Sequence, residues 1–285
     1  MSTSVGRSDG LPYAFPAAPT ITPPLTDAVA DEPAAPVVSI VMPCLNEEGT
    51  VGICVTKARR WLDDSGVNGE VLVVDNGSTD GSVAIAIEAG ARVIHERRRG
   101  YGAAYLRGFE EARGEYIVMG DSDDTYDFSD LSGLLEPLDH GYDMVLGNRF
   151  RGGLEERAMP WLHRYLGTPV INFLIRVFSG VQIGDSQSGF RAFRKQSHQA
   201  MRLRQGGMEL ASEMIVRAAR TGMRITEVPT RYYARKAPSK LSTVRDGWRH
   251  LRFLLLAAPD FLFVLPGLAM TLLGAVVAVL SFVSP

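Results

Sequence analysis

From residue 37 onward, short apolar runs rich in Val and Ile alternate with longer stretches whose apolar positions recur every three or four residues. That alternation is the signature of βα units feeding a mainly parallel sheet. The pattern predicts strands at 37–43 (VVSIVMP), 70–76 (EVLVVDN), 91–96 (ARVIHE), 115–121 (EYIVMGD) and 143–148 (DMVLGN). Helices are expected between them, over about 48–64, 81–90, 101–113 and 129–137.

Both ends of the chain depart from this texture. Residues 1–36 set Pro12, Pro16, Pro19, Pro23, Pro24, Pro33 and Pro36 among Ala, Ser and Thr, with no face to bury, as in a disordered tail. The tail has no apolar stretch of the kind a secretory leader uses, so the domain behind it is expected in the cytosol. At the other end, 261–283 (FLFVLPGLAMTLLGAVVAVLSFV) carries no charge. As a helix that length suffices for a hydrocarbon core of ~30 Å, which predicts a single C-terminal transmembrane helix. Just before it, Arg235, Lys236, Lys240, Arg245, Arg249 and Arg252 stand against one acid, Asp246, a bias that puts 235–252 on the cytosolic side. Leu241, Val244, Trp248, Leu251, Phe253, Leu254 and Leu255 give 241–260 one apolar face, as in a juxtamembrane amphipathic helix. The expected organisation is therefore a tail at 1–36, a catalytic domain at 37–240, the amphipathic helix and the span.

Composition narrows the partners. A chain of 285 residues, 46% hydrophobic, holds one large core plus an appendage. Its net charge of −2 argues against nucleic acid. Cys44 and Cys54 lack zinc-site spacing and read as buried thiols in a reducing compartment.

The chemistry sits at strand ends. Ligands of open α/β sheets gather at the carboxyl ends of the strands, so Asp75 and the cluster Asp121, Asp123 and Asp124 should face one crevice. Asp121-Ser122-Asp123 sets two carboxylates on a short turn, hard oxygens suited to Mg²⁺ or Mn²⁺ with positions left for diphosphate oxygens. An isolated Asp-x-Asp is more often a solvated turn, so the weight rests on context. Gly100 to Tyr105 follows a strand and opens a helix like a dinucleotide fingerprint. Tyr105 stands at its third glycine position, however, and the unit is not the first, which argues against a nicotinamide cofactor. The run Arg97-Arg98-Arg99 is expected to face solvent or a donor diphosphate.

Context comes from the ordered set SIVMPCLNEEGTV, EVLVVDNGSTDGS and GDSDDTYDF, which resembles glycosyltransferase family 2 over about 37–245. GNRF at 147, DSQSGFRAF at 185 and RKAPSKLS at 235, followed by an apolar segment, resemble the dolichyl- or polyprenyl-phosphate sugar synthases within it. The resemblance implies a GT-A α/β fold and inverting, metal-dependent transfer of a hexose from a nucleotide-sugar, UDP-glucose or GDP-mannose, to a polyprenyl phosphate at the cytosolic membrane face. It further implies that Pro43, Leu45 and Glu47 line the nucleoside pocket and that Asp75, with Val73 beside it, meets the base. Asp121, Ser122 and Asp123 would hold the donor, and Asp121 and Asp123 the Mg²⁺ or Mn²⁺. Thr125 stands where mannose synthases commonly carry Gln, which leaves a third metal ligand and the identity of the sugar open.

A lipid phosphate must be held by cations, and the planar fork of Arg suits it. Arg149, Arg191, Arg235 and Lys240 fall in the motifs above, and Arg164 lies in the helical stretch 161–178. Asp185 would position the acceptor or act as a base. A phosphate monoester is largely dianionic near neutral pH, with a second pKa of ~6, and attacks without losing a proton. A hydroxyl acceptor needs a general base, and Asp185 is then the leading candidate. Two other readings stand beside this one. A hydroxyl-acceptor transferase is one, though the processive form lacks its Gln-x-x-Arg-Trp signature. A silent GT-A binding module is the other, which intact Asp75, Asp121, Asp123 and Arg191 disfavour. The oligomeric state, a homo-oligomer included, is open.

Overall fold

Strands buried on both faces need apolar side chains at successive positions, and the two longest runs supply them: β1 (Val38–Cys44) and β2 (Gly69–Asp75) are buried along nearly their whole length. The computed structural model describes residues 35–156, 158–236, 243–257 and 263–283. After β1 come α1 (Val51–Ser65), β2, α2 (Ser82–Glu88), β3 (Arg92–His95), α3 (Tyr101–Glu111), β4 (Tyr116–Met119), α4 (Ser132–Asp139) and β5 (Met144–Asn148). There follow a short α5 (Arg149–Gly152), a π-helical turn (His163–Gly167), α6 (Thr168–Ser179), β6 (Arg191–Arg194), α7 (Lys195–Met201), α8 (Leu210–Arg220), β7 (Ile225–Pro229), α9 (Thr243–Ala257) and α10 (Leu265–Val283).

One sheet of seven strands runs in the order β3-β2-β1-β4-β6-β5-β7, and only β6 is antiparallel to its neighbours. Alternate side chains feed two cores. Ile40, Met42, Val71, Val73 and Val118 pack with α1, α2 and α4, while Val41, Leu72, Val74, Ile117 and Met119 pack with α3, α6, α8 and α9. Because β1 has β2 on one side and β4 on the other, chain direction diverges there and a crevice opens at their carboxyl ends.

All five expected strands are present within two residues at each end, as are the four helices between them to within three. β6 and β7 were not foreseen. β6 is four residues with Arg at each end, and β7 is a half-exposed edge strand, so neither shows an apolar run. The 241–260 amphipathic helix is α9, with 241–242 and 258–260 outside the described residues. Residues 1–34 of the expected tail also lie outside them, as does Lys240.

The expected span at 261–283 requires correction. The helix begins at Leu265, with Pro266 tolerated in its first turn because that N–H has no intrahelical partner. Its 19 residues rise about 28 Å at ~1.5 Å each, just under a ~30 Å hydrocarbon core. Among the described residues, no helix is long and apolar enough to cross a membrane.

Phe109 centres the second core, with Tyr105, Phe193 and His198 rings at 5.5, 5.0 and 5.3 Å. Phe109→Ala should lower unfolding free energy by about 3–5 kcal/mol, read as a shifted urea midpoint at unchanged slope.

Candidate active site

Three sharp turns set the crevice, each through a residue with positive φ: Asn46 (52°) after β1, Gly77 (89°) after β2 and Asp124 (60°) after β4. Asn and Asp tolerate that region better than other side chains, which fits the residues found there. After β2, Asp75 is almost buried and takes N–H bonds from Ser78 (2.9 Å) and Gly77 (3.1 Å), while its Oδ2 shares a hydrogen bond with His95 Nδ1 at 3.1 Å. Burial opposes ionisation of Asp75, but the bonds from Ser78, His95 and Gly77 outweigh it and hold the carboxyl below its usual range. Arg99 closes the same turn by donating to the carbonyls of Asn76 (2.6 Å) and Gly77 (3.2 Å), so this member of the arginine run braces the loop after β2.

The Asp-x-Asp turn follows β4. Asp121 Oδ1 accepts from the hydroxyls of Tyr101 (3.0 Å) and Tyr105 (3.1 Å). Burial and the neighbouring Asp123 charge push Asp121 up to about 7. Ser122 spends its hydroxyl on the Pro43 carbonyl at 2.7 Å, tying the ends of β4 and β1 together. Thr125, whose N–H (3.2 Å) and hydroxyl (2.6 Å) both bond Asp123 Oδ1, aims that carboxylate. Asp123 Oδ2 faces Arg235 Nε at 3.4 Å, a buried N–H without a hydrogen-bond partner among the described residues. Arg235 also reaches Glu47 Oε1 at 2.5 Å. Asp124 lies between Lys57 (2.8 Å) and Lys236 (2.6 Å), which overcome burial and hold it below its usual range.

Asp121 Oδ2 and Asp123 Oδ2 are hard oxygens left without a hydrogen bond among the described residues. A Cβ at position 189 would stand 3.1 Å from Asp121 Oδ2, and Gly189 keeps that space clear. The pair therefore fits a divalent cation completed by diphosphate oxygens; no cluster of three His, Cys, Asp or Glu ligands occurs among the described residues.

Several expected site residues stand elsewhere. Val73 is 1% exposed in the sheet core, so it backs the pocket without lining it, while Pro43 and Leu45 are half-buried at its edge. Arg191 is fully buried and gives its guanidinium to the carbonyls of Ser186, Ser188 and Ala211, which leaves no face for an acceptor. Arg149 is buried over the Tyr232 ring and grips Asp185 with Nε (2.7 Å) and Nη2 (2.8 Å). Asp185 is 0% exposed and also accepts the Arg149 N–H at 3.0 Å, a geometry that excludes a free general base. Arg164 is exposed, its guanidinium over Tyr165. Sequence reasoning missed Tyr101 and Tyr105 as holders of Asp121. Their i, i+4 spacing at the start of a helix, which sets both hydroxyls on one face, was the available signal. It also missed why that helix opens on glycines. A Cβ at Gly100 or Gly102 would stand 2.2 or 2.3 Å from the backbone carbonyls of Gly206 and Gln205, so α3 rests directly on the 205–207 loop.

The family model for glycosyl transferase family 2 matches residues 39–202. The chain is 42% identical over 254 residues to the low-salt glycan biosynthesis hexosyltransferase Agl6 of Haloferax volcanii, spanning 89% of this chain but only 61% of that protein. It is 33% identical to a dolichyl-phosphate hexose transferase of the same organism, over 73% of this chain and 88% of that one. In fold it is similar to glucosyl-3-phosphoglycerate synthase of Mycobacterium tuberculosis, solved with Mn²⁺, UDP-glucose and phosphoglyceric acid, at TM-score 0.62 and 24% identity over 79% of this chain and 80% of that one.

Removing one partner of a buried ion pair strands the other charge. Arg149→Ala should therefore cost about 3–5 kcal/mol of stability, and Arg149→Lys, which lacks the fork, should restore only part of it in urea denaturation.

Asp121 supplies a pH test. Its folded pKa is raised, so the folded state binds the extra proton, and the contribution of this one group to stability is fully present below 3.8 and is lost as pH rises through about 7. Asp121→Asn should flatten the melting temperature over that window.

Proposed function

The chain belongs to glycosyl transferase family 2, and from that premise we propose that it moves a hexose from a nucleotide-sugar, UDP-glucose or GDP-mannose, to a polyprenyl phosphate at the cytosolic face of a membrane, with inversion. The observation that carries this reading is the state of Asp185. A hydroxyl acceptor needs a base, and the leading candidate is fully buried and clamped by Arg149. A phosphate monoester needs none, because its second pKa of ~6 leaves it largely dianionic at neutral pH. The likeness to a dolichyl-phosphate hexose transferase supports the same acceptor class.

In this mechanism a phosphate oxygen attacks the anomeric carbon from the face opposite the nucleotide. The bond from that carbon to the diphosphate oxygen breaks, and the nucleoside diphosphate leaves with the electron pair; no proton moves. Asp75 and the turn at Gly77 and Ser78 hold the nucleoside, with Leu45 and Pro43 at its edge. Tyr101 and Tyr105 fix Asp121, and Thr125 aims Asp123. Mg²⁺ or Mn²⁺ held by Asp121 and Asp123 supplies charge neutralisation for the diphosphate when bound. Arg235, between Glu47 and Asp123, presents a second positive charge on the same side, so its role is to the leaving group as much as to the acceptor. Catalysis rests on in-line positioning and fixed charge.

Attachment to the membrane follows from α10, whose Leu268, Met270, Leu272, Leu273, Val276, Val277, Val279 and Leu280 are each more than half exposed and require an apolar cover. The cationic stretch ahead of it, from Arg235 to Arg252, suits an anionic membrane surface.

The test is transfer of radiolabelled sugar from UDP-glucose and, separately, GDP-mannose into organic-extractable lipid, with added polyprenyl phosphate and Mn²⁺ or Mg²⁺. Label should enter the lipid phase with one donor, depend on the cation, and disappear in Asp123→Ala. Label in a water-soluble acceptor instead would overturn the lipid assignment.

A further inference from the structure

Asp75 and His95 stand at the carboxyl ends of neighbouring parallel strands, paired in register across β2 and β3. The His95 side chain is 65% exposed and that of Asp75 only 6%, so the ring has water at hand and still turns a nitrogen to the buried carboxylate at 3.1 Å. The state of Asp75 decides which of the two donates. Burial opposes its ionisation, but its hydrogen bonds hold the carboxyl below its usual range, so near neutral pH it only accepts. His95 Nδ1 is therefore the donor.

That bond changes what Asp75 can read. A carboxylate offers about four lone-pair positions over its two oxygens. The Ser78 N–H takes one on Oδ1 (2.9 Å), while the Gly77 N–H (3.1 Å) and His95 Nδ1 (3.1 Å) take both on Oδ2. One position remains, on Oδ1. Guanine presents two parallel donors on one edge, its ring N–H and its amino group, and satisfying both calls for both oxygens. Uracil presents a single imide N–H between two carbonyls, which one position satisfies. We infer that His95 is a positioning residue that occupies Asp75 Oδ2 and thereby selects a uracil-bearing donor over a guanine-bearing one. A guanine held here would keep an amino N–H out of water without a partner, the kind of loss on which sites discriminate most sharply. The Ser78 hydroxyl accepts the Asn46 N–H (3.0 Å) and stands beside Asp75, so its proton can turn to a uracil carbonyl as the base arrives. The inference rests on the nucleotide-sugar donor proposed above, names its base, and is independent of the acceptor.

The test is titration calorimetry of the full chain with UDP and, separately, with GDP, in Mg²⁺ and without acceptor. The two ligands share ribose and diphosphate, so the ratio of their dissociation constants reads the base alone. UDP should bind about tenfold more tightly or better. His95→Ala should free Oδ2, tighten GDP severalfold and narrow the ratio, with UDP little changed. His95→Asn keeps an N–H donor within reach of the carboxylate and should restore the ratio. A ring that served only to hold the strand end would give neither the gain for GDP nor the rescue. GDP bound by the native chain as tightly as UDP, or a ratio unmoved in His95→Ala, overturns the inference and leaves the nucleotide-sugar reading standing. Binding of neither diphosphate by the native chain overturns both.

Discussion

A guanidinium with neither water nor a carboxylate to hold it has to be surrounded by carbonyl oxygens, and the architecture of this site depends on where Arg191 finds them. Its three donors reach Ser188, Ala211 and Ser186, each at 2.8 Å. Removing the ion from water costs several kcal/mol, and charge-assisted bonds contribute about 1.5–3 kcal/mol each, so losing any one of them tips the balance. The 185–189 loop is therefore held against the start of α8 in one conformation. Three consequences follow from that conformation. Gly189 stands clear of Asp121, Asp185 turns inward to Arg149, and β6 enters the sheet antiparallel between β4 and β5.

With the loop fixed, the crevice can concentrate acid. Glu47, Asp121, Asp123 and Asp124 crowd the carboxyl ends of β1 and β4, and like charges at that range raise one another's proton affinity. The protein answers each differently. Asp124 is bracketed by two lysines, Asp123 is turned by Thr125 so that its other oxygen faces Arg235, Glu47 is met by the same Arg235, and Asp121 is left to tyrosine hydroxyls. Hydroxyls orient a carboxylate without neutralising it, so burial and the neighbouring Asp123 charge still push Asp121 up to about 7. A site that keeps one carboxylate answered by hydroxyls alone is arranged to receive positive charge.

The legible parts of the chain were those with a periodic or positional signal. β1 to β5 follow from buried apolar runs, and Asp75, Asp121 and Asp123 follow from their places at strand ends. What escaped depended on contacts between distant segments. Arg191 lies in a motif that suggests phosphate binding, but its carbonyl partners come from the 186–188 loop and from α8. Asp185 resembles a base until Arg149, 36 residues earlier in sequence, is seen to clamp it. Val73 was placed at the base by likeness, whereas strand alternation directs it into the first core. Arg235 was assigned to the acceptor, yet it folds back across 188 residues onto Glu47. In each case sequence identified a residue that matters and missed which partner it serves.

Those long-range contacts also close a circuit that fixes the crevice relative to α9. From α3, Tyr101 and Tyr105 hold Asp121; two residues on, Asp123 faces Arg235. Six residues separate Lys236 from Thr243 at the start of α9, so no conformation of the chain sets the two more than roughly 25 Å apart at ~3.5 Å per residue step. Helix α9 is in turn bound to α8 through Arg249 and Glu209 at 3.0 Å and through His250 and Ser212 at 2.9 Å. The 205–207 loop ahead of α8 supports α3 at Gly100 and Gly102, which returns the circuit to its start. No member can move far without breaking a buried polar contact or overextending a short tether. On the reading proposed above, with a phosphate acceptor that needs placement and no base, the reaction would depend on that rigidity more than on any single side chain.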